Sequence, residues 1–142
     1  IDLTCGESES KFHSVADAVK KAKKEGVPME KVTMSSDGQG SWSNYDAEGK
    51  LVEIGVSDVD TIYRQIVYMV KEENMDLEEL LALGTKNPAM ALELYPKKGA
   101  VKEESDADIL IMNEDLSLDT VIAMGVPMMR DGKILKKGTY EK

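Results

Sequence analysis

Val32-Thr33-Met34-Ser35-Ser36-Asp37-Gly38-Gln39-Gly40-Ser41 passes from an apolar run into a polar, glycine-rich turn. Val32, Thr33 and Met34 predict a short buried strand, because β-branched and apolar side chains suit a pleated, covered surface. Ser35, Ser36 and Asp37 end it, and Gly38 and Gly40 let the backbone turn sharply away. A carboxylate just past the carboxyl end of a buried strand is where α/β barrels hold their chemistry. Asp37 is therefore the first candidate for a catalytic residue.

Outward from that stretch the pattern is strand, helix, strand. Ile1 to Cys5 alternates apolar and polar like a strand, and Gly6 to Lys11 reads as polar loop. Ser14 is the expected helix cap, with Asp17 three positions on. Val15, Ala18, Val19 and Ala22 then form one apolar helical face. Lys20, Lys21, Lys23 and Lys24 line the opposite face as a solvated surface near the negative end of the helix dipole. Gly26 and Pro28 stop the helix. This βαβ unit implies two parallel neighbouring strands.

Beyond Gly40 a long loop holds Trp42 and Tyr45, and Asp46 to Leu51 makes a hairpin-like excursion with Gly49 at its bend. Helical spacing predicts a helix over Val59 to Lys71 with Asp58 as cap, and a second over Asp76 to Leu83, closed by Gly84. Asn87 as cap and Pro88 at the first helical position predict a third, running to Leu94. Short β segments follow at Asp108–Met112, Val121–Met124, Met128–Met129 and Ile134–Leu135. Gly125-Val126-Pro127 and Asp131-Gly132 punctuate them, the latter as a two-residue hairpin turn. A boundary is placed near residue 97, with Lys97 to Asp106 a charged linker.

Bulk composition narrows the partners. The 142 residues suffice for one domain or part of a larger one. A net charge of −9, from 27 acidic against 18 basic residues, argues against nucleic acid and anionic membranes, which require clustered Lys and Arg. The single cysteine, Cys5, permits no internal disulfide and fits a reducing cytoplasm. No apolar run reaches the roughly 18 residues that span a bilayer, and no signal peptide opens the chain. The start at Ile1, without Met and inside a strand, predicts the carboxy-terminal piece of a longer protein.

Thr85-Lys86-Asn87-Pro88-Ala89, Leu94, Gly99, Asp106 to Ile111 and Met128 to Lys133 together resemble the carboxy-terminal signature of the amidohydrolase superfamily. The run Val32 to Ser41, with Gly49-Lys50-Leu51 and Ile54-Gly55-Val56, narrows the resemblance to its isoaspartyl dipeptidase family. It implies an α/β fold: the carboxy-terminal fragment of a metal-dependent (β/α)8 TIM barrel plus part of a small antiparallel β domain. Residues 1–97 would be the last two βα units with carboxy-terminal helices, and 98–142 half of the small domain. Asp37 would ligate one of two zinc ions, take the proton from the attacking hydroxide and pass it to the leaving amine. Ser41 would bind a carboxylate of a β-aspartyl dipeptide substrate.

The resemblance also implies what this chain lacks. The family's remaining ligands, a His-x-His, a carboxylated Lys and two further His, lie upstream in that family. The one histidine here, His13, matches none of them and reads as a loop residue before a helix. A hydrolytic zinc site takes about three protein ligands per metal. The fragment alone is therefore expected to be inactive and to hold no zinc pair, within a cytoplasmic parent metallopeptidase that forms homo-oligomers. Dihydroorotase-like or deacetylase-like chemistry, or a non-catalytic interaction module, are the alternatives. Cys5 is expected to be a buried structural thiol rather than a nucleophile. Trp42 and Tyr45 line either a substrate pocket or an interface. Barrel strands cut from their neighbours leave open edges, to be covered by another copy, swapped elements or redocked helices.

Overall fold

The computed structural model describes residues 1–6 and 9–138. Strand β1 (Asp2–Thr4) leads through helix α1 (Glu9–Lys24) and a single 3-10 turn (Met29–Lys31) to β2 (Thr33–Ser35). The two strands are parallel, with Asp2 opposite Thr33, Leu3 opposite Met34 and Thr4 opposite Ser35. Backbone bonds from Thr33 N to Ile1 O at 2.9 Å and from Cys5 N to Ser35 O at 2.8 Å extend the ladder at both ends. The Asp2 carboxylate also accepts from the Thr33 and Ser35 hydroxyls, both at 2.6 Å. The βαβ expectation thus holds, with β2 shifted one residue. Val32 N–H is taken by Met29 O, closing the 3-10 turn and postponing the ladder to Thr33.

Helix α1 begins earlier than the Ser14 cap reading allowed. Ser14 lies inside it, its hydroxyl donating back to Lys11 O at 3.0 Å. Tertiary contacts favour the longer helix: Phe12 stacks on Tyr68 with ring centres 5.5 Å apart, and Gln65 Nε2 donates to Phe12 O at 3.0 Å. His13 is accordingly a helix residue, not a loop residue. At the other end Gly26, at φ 73, receives the Schellman pair, Val27 N to Ala22 O and Gly26 N to Lys23 O. The lysine face is only partly a bare surface. Lys20 reaches Glu73 at 2.5 Å and Lys23 reaches Glu79 at 2.6 Å, tying α1 to the segments after it.

The expected loop carrying Trp42 and Tyr45 is instead a strand. β3 (Ser41–Tyr45) pairs antiparallel with β4 (Leu51–Val56), closed by the Asp46–Gly49 turn. Helices α2 (Thr61–Lys71), α3 (Leu77–Gly84) and α4 (Lys86–Ala91) follow. Asp58 does not sit at the cap position of α2. Its carboxylate lies 3.8 Å from Arg64 Nη2, and Asp60, the residue at the cap position, turns its own toward Arg64 Nε at 3.1 Å. The α3 cap is as expected: Asp76 accepts from Glu79 N–H at 2.9 Å.

Asn87 does not cap α4 either. Thr85 occupies that position, which puts Pro88 third in the helix, where its missing N–H is still one that no helical carbonyl would accept. The buried Asn87 amide is claimed from within, donating to Met29 O and Val32 O, both at 2.8 Å. The helix stops at Ala91 rather than Leu94, because Leu94 N and Tyr95 N both turn back to Ala89 O and Glu93 adopts φ 58.

The remaining strands, β5 (Ile109–Met112), β6 (Leu118–Ala123), β7 (Val126–Arg130) and β8 (Lys133–Ile134), form an antiparallel meander in that order. The Asp131-Gly132 turn is present, with φ 50 and 68. The Gly125-Val126-Pro127 turn is not: the bend is Met124-Gly125, φ 48 and 75, and Val126 and Pro127 belong to β7. Pro127 is tolerated because it pairs with Ile122 beside a register irregularity, where a missing ladder N–H does least harm. Lys98 anchors this sheet by contacting Asp106 at 3.0 Å and Asp108 at 2.5 Å, and Asp108 also accepts Met124 N–H at 2.7 Å. The Lys98 ammonium, and then the Met124 amide, hold the Asp108 carboxyl below its ordinary range.

One core serves the first two-thirds of the chain. Val15, Val19, Val32, Met34, Ile66, Met69, Leu80 and Leu83 pack together, joined by Ala16 and Cys5. Each fully buried Leu or Met there stabilises the fold by about 1.5–3 kcal/mol. On their other edges β1 and β2 pair with no strand among the described residues.

Asn87 is the test of how this core is organised. Asn87→Ala strips the donor from two carbonyls, and the expected loss is about 2–3 kcal/mol, read as a lower urea midpoint. An unchanged midpoint would contradict the assignment.

Candidate active site

Asp37 lies two residues past the carboxyl end of β2. It adopts φ 49 and Gln39 φ 65, left-handed conformations that a short polar side chain such as Asp tolerates best. The loop is nonetheless firmly held. Gly38 N donates to Ser36 Oγ at 3.1 Å, Gly40 N to Asp37 O at 2.8 Å and Gln39 N to Ser57 O at 2.8 Å. From below, the fully buried Thr61 at the head of α2 brings its hydroxyl 3.4 Å from the carbonyls of Ser36 and Asp58. That clamp escaped the sequence reading. An apolar-stripe search passes over Thr61 because its role depends on a carbonyl 25 residues away.

Gly40 explains where the carboxylate goes. A Cβ at Gly40 would lie 2.6 Å from Asp37 Oδ1, so the acidic group occupies the space a larger residue would fill. Ser41 follows directly as the first residue of β3, exposed and paired with Val56. Asp37, on the turn, and Ser41, the first strand residue after it, thus lie four positions apart past the carboxyl end of β2. Trp42 folds over Gly55, where an added Cβ would meet its Cζ2 at 2.2 Å, so its role is to seal the hairpin. Tyr45 stays exposed near the hairpin's far end.

The other titratable residues gather elsewhere. His13 Nδ1 is 2.7 Å from Tyr68 Oη, and Tyr68 Oη is 3.3 Å from Glu73 Oε1. The hydrogen bond from Lys20, with its charge, lowers the Glu73 carboxyl pKa. Cys5 ends β1 as a buried thiol, its pKa raised to about 11 by desolvation first and by the Asp2 charge second, against a lowering by Lys11. Among the described residues no three His, Cys, Asp or Glu side chains are placed to hold a metal ion. No described helix is long and apolar enough to cross a membrane.

A sequence model of the amidohydrolase family matches residues 2–135. The chain belongs to the amidohydrolase family. Within it, this amidohydrolase chain is similar to the β-aspartyl dipeptidase of the thermophilic Fervidobacterium islandicum AW-1, solved in complex with a β-Asp-Leu dipeptide. The match has 33% identity and a TM-score of 0.80, over 99% of this chain and 36% of that one. It is 30% identical over 88 residues to the dihydroorotase of Methanosphaera stadtmanae, which is 62% of this chain and 17% of that protein. The N-acetylglucosamine-6-phosphate deacetylase of Pasteurella multocida, 19% identical with a TM-score of 0.62 over 81% of this chain and 34% of that one, shares the fold. The chain thus spans about a third of the solved relatives it matches.

Cys5 separates a structural from a reactive thiol. With its pKa near 11, about one thiol in a thousand is ionised at pH 8. Alkylation by iodoacetamide at pH 8 is therefore expected to be negligible in the folded protein and rapid once concentrated urea unfolds it. Fast labelling of the native state would restore Cys5 as a reactive group.

Proposed function

We propose that this chain is a segment of a hydrolase that cleaves β-aspartyl dipeptides, with Asp37 as its proton carrier and Ser41 as a substrate contact. The carrying observation is the likeness to a β-aspartyl dipeptidase along 99% of the chain, with Asp37 and Ser41 four positions apart past a parallel strand. On this reading residues 1–97 are the last two βα units of a (β/α)8 barrel with the helices that complete it. Residues 98–142 form half of a small β domain.

Chemically, an exposed carboxylate at a strand end can accept a proton from attacking water and return it to the leaving amine. The Ser41 hydroxyl, one residue beyond the glycine that accommodates Asp37, can donate to the substrate's α-carboxylate. The amidohydrolase family is generally metal-dependent. The described residues offer Asp37 but no complete ligand set, so they do not by themselves fit a zinc pair. On this reading the carboxylate and the hydroxyl are the groups the segment brings to the reacting amide.

The dihydroorotase likeness supports a second reading, hydrolysis of a cyclic amide, though it covers 62% of the chain against 99%. The protein carrying this segment is assayed for amino-acid release from β-Asp-Leu, with dihydroorotate and N-acetylglucosamine-6-phosphate in parallel. Turnover of β-Asp-Leu alone is expected. Asp37→Asn lowers kcat by about 10²–10⁴-fold with the urea midpoint unchanged, since the residue is exposed. Turnover of dihydroorotate instead, or full activity in the Asn variant, would sink the proposal.

A further inference from the structure

The β3–β4 hairpin carries apolar side chains that the core does not use. Ile54 and Val56 are 67% and 60% exposed. One such residue on a surface is ordinary, but these two stand side by side on one face of a strand that ends opposite Ser41. Their placement follows from the register. Ser41 is paired with Val56 and Ser43 with Ile54, and directly opposed residues project from the same face of a sheet. The Ser41 hydroxyl and the Val56 and Ile54 side chains therefore share one face, with opposed Cβ atoms about 4.5–5.5 Å apart.

Two further features bear on this face. Trp42 lies on the other face over Gly55 and leaves the valine side uncovered. Val59 abuts the Asp37 loop, its Cγ1 only 2.9 Å from where a Cβ on Gly38 would stand. Exposed apolar side chains continue along the hairpin at Tyr45, Leu51 and Val52, so what distinguishes Val56 is its place directly opposite Ser41.

We infer that Val56, with Ile54 beside it, is an apolar wall selecting the side chain of the amino acid released from the β-aspartyl group. The inference rests on the proposed function. There the aspartyl half of the substrate is polar and engages Ser41, while the released residue is the half whose side chain varies. An apolar surface on the same face as the Ser41 hydroxyl suits an aliphatic side chain such as leucine, whose desolvation favours binding and whose absence in glycine forfeits it.

The full protein carrying this segment is compared with Val56→Thr and Val56→Lys in kcat/KM for β-Asp-Leu, β-Asp-Gly and β-Asp-Glu. The unsubstituted protein is expected to favour β-Asp-Leu over β-Asp-Gly by about tenfold. Val56→Thr, which keeps the branched shape, brings the two within about threefold by raising KM for β-Asp-Leu. Val56→Lys shifts the preference toward β-Asp-Glu. Unchanged ratios in both variants overturn the inference alone. So does a smaller assembly on sedimentation with ratios intact, which would assign the face to a second copy of the chain. No turnover of any dipeptide by the unsubstituted protein overturns the proposed function and this inference with it.

Discussion

Strand β2 is three residues long and is held at both ends by side chains from helices far along the chain. Asn87 grips the entry, donating to Met29 O and Val32 O, and Thr61 grips the exit at Ser36 O. Everything else depends on that double clamp. A three-residue parallel strand has too few ladder bonds to define its own position, and the pairing with β1 supplies the rest. With β2 located, Val32 and Met34 fall into the core and Asp37 comes out at the rim.

The division of labour along β2 follows. The entry end is packed and buried, with an amide bridging backbone carbonyls that water cannot reach. The exit end is a turn of left-handed residues and glycines, where the backbone approaches a carboxylate too closely for any larger residue. Rigid support below and an exposed acid above is the arrangement that places a reactive group without burying it. The hairpin that follows extends the rim by turning Ser41 and two aliphatic side chains to one face.

Much of this was readable from residues alone, where the signal is local. The βαβ order, the Asp76 cap, the Asp131-Gly132 turn and the Asp37 loop each rest on spacing or on chemistry within a few positions. The errors share a cause. Ser14, Asp58 and Asn87 are all residues that cap helices well, and local sequence puts each beside a helix start. In the fold Ser14 lies inside its helix, Asp58 faces Arg64, and Asn87 faces carbonyls 55 and 58 residues away in sequence. The β3–β4 hairpin was half seen, through its Asp46–Gly49 turn. Val52-Glu53-Ile54-Gly55-Val56 does alternate as a strand should, but its apolar face is the exposed one, and nothing local shows that Ser41–Tyr45 is its partner.

The sequence by itself determined the family, the parallel βαβ start and the presence of an acid on a glycine turn. These are encoded in contiguous patterns that bias the backbone before any long-range contact forms. Only the tertiary structure decided which polar side chains bridge distant carbonyls, which lysines are paired, and which face of the hairpin adjoins Ser41. Those outcomes depend on groups that share no neighbourhood in sequence, and a side chain able to make several hydrogen bonds takes the partner that packing brings within reach.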